Sequence, residues 1–214
     1  MTKRWAFLLI FAILGPGCEN PGFSQPVAQS SKKLTCTVTR QDYAVYSAVL
    51  SGRGRPEDPE ETWDDKPELT VGDTTIPGGG FFREHKNGWA WGFRSPLKQK
   101  PAADTQRDFN AKLDSTCALK ALMDHPPVYT LISRKEVDEI FKKNQDGWAE
   151  FYKRHPQSSG IWSFSRVGYN IAKNEALVYL AHSCGMLCGT GHLYLLTKED
   201  GGWVVKNKLM LWIS

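Results

Sequence analysis

Two histidines and two cysteines stand close together late in the sequence, His182, Cys184, Cys188 and His192, in the pattern His-x-Cys-x3-Cys-x3-His. Two chemistries suit such a set. The cysteines alone can close a disulfide over about five residues, which contributes roughly 2 kcal/mol in the chain-entropy description. All four together offer zinc two thiolates and two imidazoles, a ligand set it accepts, if facing strands bring the histidines together. A redox-active pair wants a thiolate of lowered pKa, usually in Cys-x-x-Cys at a helix N-terminus, and a Cys-x3-Cys hairpin suits that poorly. Gly185 and Gly189 follow the two cysteines and Gly191 comes shortly after, which suggests a turn with positive φ angles. The structural disulfide is the reading adopted, with no metal and no cofactor assigned.

Other residues carry chemistry of weaker pattern. Ser165, Arg166, His182, His192, Glu175 and Asp200 include the residue types of a hydrolase, but no Gly-x-Ser-x-Gly, Ser-x-x-Lys or His-Glu-x-x-His organises them. No catalytic residue is therefore assigned. Arg166 interrupts an apolar run. Such an arginine faces solvent, pairs with a carboxylate, or binds an anion. Trp89, Trp91 and Phe93 alternate, so on a strand they share one face. That face either packs a core or stacks on sugar rings. Trp89, Trp91, Arg166, His182 and His192 are the candidate binding residues. Seven acidic residues crowd 57–68. Calcium favours such oxygens, but EF-hand spacing is absent and a solvated loop is the better reading.

The elements that must position these groups read as α+β. Residues 34–40 form a strand or lead into a helix over Asp42–Leu50, with Asp42 as N-cap and Tyr43, Tyr46, Val49 and Leu50 on one face. Leu69–Ile76 has strand character, and Phe81–Lys86 and Trp89–Phe93 flank an Asn87-Gly88 hairpin signal. Asp104–Leu122 is partly helical. Val128–Ile132 is β-branched, and Ser133 caps a helix over Arg134–Lys143 with Glu136 at the capping-box position. Gly147–Arg154 is another short helix. Four apolar runs, Ile161–Tyr169, Glu175–Ser183, His192–Lys198 and Trp203–Ile213, then predict a four-stranded antiparallel meander.

The chain opens with Lys3 and Arg4 and ten apolar residues, Trp5–Leu14. A helix of that length spans about 15 Å, half a bilayer core, so it reads as a signal peptide over 1–17. Gly17-Cys18 after it resembles a bacterial lipobox, although Leu14 lies one residue too far upstream and Pro16 intrudes. The expectation is a diacylated Cys18 with a flexible tether over 18–33, then a single domain over 34–214. Lipid on Cys18 leaves four of the five cysteines. An oxidising compartment tends to pair thiols. Proximity favours Cys184 with Cys188, leaving Cys36 with Cys117 by elimination. The net charge of +4 includes Lys3 and Arg4, a balance unlike that of a general nucleic-acid binder.

The segments SRVGYN (165–170), CGMLCGTGHLYLL (184–196) and GGWVVKNKLMLWIS (201–214), with VYSAVL, LISRKEVDEIF and GWAEFYKRHPQSSGI upstream, resemble an uncharacterised family of bacterial exported proteins. Its pattern runs SRVGFN, CGxLCGxG, then a Gly-Trp strand ending Trp-x-Ser. The resemblance covers about two thirds of the chain, leaves 53–110 unmatched, and implies export without supplying an activity. The closing hairpin is also similar to the last strands of NTF2-like cones, an alternative architecture by analogy alone. The expected role is a non-catalytic binding module of the cell envelope, held to the membrane by lipid, with an envelope protein or glycan as partner. Soluble periplasmic or secreted protein is the alternative location. The alternative function is an envelope enzyme or metal-dependent protein built on His182, Cys184, Cys188 and His192.

Overall fold

In a computed structural model, residues 36–52, 68–77, 100–121, 123, 129–143 and 146–214 are described. The last forty residues build its most regular part. Strands β5 (Glu175–Gly185), β6 (Cys188–Glu199) and β7 (Gly202–Ile213) run antiparallel. Asp200 (φ 48°) and Gly201 (φ 83°) both turn left-handed between β6 and β7. That is the conformation whose twist suits a two-residue hairpin.

β3 (Ser158–Phe164) lies antiparallel to β5, and two-residue β4 (Gly168–Tyr169) pairs farther along the same strand. β1 (Glu68–Gly72) then adds parallel to β3, and β2 (Tyr129–Ile132) parallel to β1. The sheet therefore has seven strands, in the order β2-β1-β3-β5-β6-β7 with β4 beside β5, rather than the four expected. Ser165 is one reason. Its Oγ accepts the Tyr179 N–H at 2.9 Å and donates to the Arg166 carbonyl, so the run 161–169 breaks into β3 and β4.

Side chains alternate across β5 and β6, and both faces are buried. Ala176, Val178, Leu180, Tyr194 and Leu196 pack with Tyr43, Tyr46, Val49 and Leu50 of α1 (Arg40–Ser51). The other face, with Leu177, Tyr179, Leu193 and Leu195, receives Phe109 of α2 (Ala103–Lys112). A third cluster of Ile132, Ile140 and Phe151 joins α3 (Arg134–Lys143) and α4 (Gly147–Arg154) to β2.

The caps explain where the helices start. The Glu136 N–H donates to Ser133 Oγ at 3.1 Å, as expected. Asp42 is not the N-cap of α1: Thr39 is, and Asp42 sits three residues on, its carboxylate accepting the Thr39 N–H at 2.7 Å in a capping box. Cys36 and Cys117 lie at disulfide distance, Cα atoms 5.3 Å apart, as do Cys184 and Cys188 at 5.0 Å. The signal peptide, Cys18 and tether within 1–33, nearly all of the acidic loop, and the Asn87-Gly88 hairpin with Trp89 and Trp91 lie outside the described residues. No helix among the described residues is long and apolar enough to cross a membrane.

Candidate functional site

The first turn of α1, the length of α2 and the turn after β4 enclose a polar cleft of about 850 Å³. Its walls are set by α2, a helix with a single large buried apolar side chain, Phe109. Ala102, at its N-cap, offers no side chain to its free N–H groups. Glu175 of β5 supplies one instead. Its Oε1 accepts the Ala102 N–H at 2.7 Å and the Thr105 hydroxyl at 2.6 Å. Farther along, Asp104 Oδ2 accepts the Ile171 N–H at 2.9 Å and Asp108 Oδ2 the Tyr169 N–H at 2.7 Å. Carboxylates four apart on a helix stack on one face, so the pair clamps two alternate N–H groups of the chain leaving β4.

Tyr169 closes the cleft toward α1, donating its hydroxyl to Asp42 Oδ1 at 2.9 Å. Burial, and then the Asp42 charge, push its phenol pKa far above the ordinary value, so it stays a neutral donor. The Ile171 N–H holds the Asp104 carboxyl below its usual range. Lys112 Nζ lies 2.6 Å from Asp108, 3.0 Å from the Val167 carbonyl and 5.4 Å from the centre of the Tyr169 ring. Arg166 donates from Nη1 to Ser115 Oγ at 2.9 Å. Gln41 donates to the carbonyl of Lys173, a residue held at φ 53°.

The balance of these bonds gives the cleft its character. Asp42, Asp104 and Asp108 are each committed to backbone, hydroxyl or Lys112 donors. Arg40, Arg107, Arg166 and Lys173 line the same space. Among the described residues none of these four cations has a carboxylate within 4 Å. Guanidinium and ammonium groups so placed have the chemistry to accept an anion through charge-assisted hydrogen bonds. No histidine or cysteine lines the cleft among the described residues.

Of the candidate binding residues among those described, Arg166 alone lines this cleft. His182 is a core residue, 2% exposed, stacked on Trp162 with ring centres 4.0 Å apart. Its Nε2 lies 2.9 Å from the Ser159 carbonyl and must donate to it. His192, on β6, is buried opposite Leu180 and Met210. The four-ligand set does not form. Both cysteines stand at disulfide distance, and among the described residues no three His, Cys, Asp or Glu side chains are placed to hold a metal.

The glycines of that loop also differ from expectation, because Gly160 and Gly201 are the described glycines with positive φ. Gly189 and Gly191 are small for another reason. A Cβ on Gly191 would collide with the Trp212 indole, and one on Gly189 would crowd Ser214, the His182 carbonyl and Trp212. Arg40, Arg107, Lys112 and Lys173 carry no motif, and neither the capping position of Asp42 nor the SRVGYN segment of Tyr169 pointed to a cleft. The one local signal was the Asp104-Asp108-Lys112 spacing in a helix with almost nothing to bury. No family model, curated protein or solved structure matches this chain.

Proposed function

We propose that the protein is an exported, lipid-anchored module of the bacterial cell envelope that binds an anionic ligand in the Arg166 cleft without transforming it. The observation that carries this reading is the cleft's charge: among the described residues five cations, Arg40, Arg107, Lys112, Arg166 and Lys173, line it against three carboxylates, Asp42, Asp104 and Asp108. Export is supported by the h-region before Cys18 and by the resemblance to exported bacterial proteins. Two cysteine pairs at disulfide distance suit an oxidising compartment. Diacylated Cys18 attaches the domain to the membrane, and the near-balanced charge leaves nucleic acid an unsuitable partner.

Protein recovered from its native membrane fraction tests both halves. Its intact mass should carry a diacylglycerol adduct on Cys18. Titrated calorimetrically with inorganic pyrophosphate, it should bind in a salt-dependent manner, and Arg166→Ala should weaken binding about tenfold or more, the scale of a charge-assisted hydrogen bond. Unmodified Cys18 would overturn the anchor. Absence of pyrophosphate binding, or equal binding by Arg166→Ala, would overturn the cleft.

A further inference from the structure

The polar cleft continues past Arg40. Arg40 and Gln41 also line a second groove of about 610 Å³ on the other side of the first turn of α1. One wall of this groove is the outward side of α1, where Ala44 and Ala48 keep the surface low. The opposite wall is the β6–β7 turn, with Lys198 and Trp203. Trp203 lies beside Tyr169, ring centres 5.9 Å apart, so the aromatic wall of the groove adjoins the tyrosine that closes the cleft.

We infer that groove and cleft form one extended site for an acidic saccharide. This rests on the anion-binding reading of the cleft and names its ligand class. A pyranose ring has apolar C–H faces and hydroxyl edges. It can lie against the Trp203 indole and the alanine wall while its hydroxyls meet the Gln41 amide. The carboxylate of the same or the next sugar then falls among Arg40, Arg107 and Arg166. A nucleotide fits less well: the groove offers one aromatic face against alanines, where a flat base is better held between two.

Calorimetric titration of the full exported protein with trigalacturonate, maltotriose, pyrophosphate and ADP tests this. Trigalacturonate should bind about tenfold tighter than pyrophosphate, and maltotriose more weakly than either. Ala44→Gln, at an exposed position that fills the groove, should remove that tenfold advantage while pyrophosphate binding follows the wild type. Equal binding of pyrophosphate and trigalacturonate, with no effect of Ala44→Gln, would overturn the saccharide and leave the anion cleft standing. ADP binding tighter than trigalacturonate would overturn it in favour of a nucleotide. If neither charged probe binds, both readings fall.

Discussion

Glu175 shows how one buried carboxylate can shape a site it does not line. Its Oε1 serves two donors at the start of α2, and that helix carries Arg107 and Lys112 to the cleft. Glu175→Ala would leave the Ala102 N–H and the Thr105 hydroxyl without their acceptor, a loss of about 2 kcal/mol in stability. Anion affinity should fall with it as α2 loosens. Glu175→Gln keeps an amide oxygen in place and should recover most of both. Chemical denaturation beside pyrophosphate titration checks the pair, and equal stability of Glu175→Ala and wild type would refute the assignment. Sequence reading could notice Arg166, because a charge inside an apolar run demands a reason. It named Glu175 only among hydrolase residue types and could not see its role, which lies at a helix end seventy-three residues away from it in the chain.

Among the elements, what the sequence announced was what short-range chemistry decides. Ser133 marked its helix cap and Gly147–Arg154 its helix, each through a hydrogen bond within a few residues. The parallel pairings of β1 with β2 and β3 stayed hidden, since partners such as Val71, Leu131 and Trp162 are far apart in sequence and nothing local records their register. The two cysteine pairs differ on the same axis. Cys36–Cys117 spans 81 residues and ties the entry of α1 to the segment paired with Thr37 and Thr74; Cys184–Cys188 spans four within one hairpin. Loop-closure entropy assigns about 4–5 kcal/mol to the first and about 2 kcal/mol to the second. Replacing both members of Cys36–Cys117 by serine should therefore lower the melting temperature more than the same change at Cys184–Cys188, and should displace α1 from both cleft and groove. A larger effect at the hairpin pair would show that β5–β6, rather than the attachment of α1, limits stability.

For the molecule as a whole, α1 is the part that both sites share, and two phenols hold it. Tyr46 donates to the Ser165 carbonyl at 3.0 Å and stacks on Phe164 with ring centres 4.4 Å apart, while Tyr169 donates to Asp42. Burial raises both phenols above their ordinary value of 10.0, with the Asp42 charge adding to it. An unfolded chain releases these protons near that ordinary value and the folded one keeps them. The stabilisation is thus complete below about pH 10 and is lost as pH rises toward the folded pKa values, about 1.4 kcal/mol per pH unit for each tyrosine. Against a typical margin of roughly 5–15 kcal/mol, a few pH units suffice to unfold the domain. Phenolate absorbance and far-ultraviolet circular dichroism should therefore change together, in one cooperative step beginning above pH 10, and pyrophosphate binding should vanish over the same range. Tyr46→Phe cannot release a proton and should flatten the alkaline limb, although it gives up the Ser165 bond at neutral pH. Free titration of all tyrosines near pH 10 with the fold intact would mean that these phenols are not sealed, and that α1 is held to the sheet by its apolar face alone.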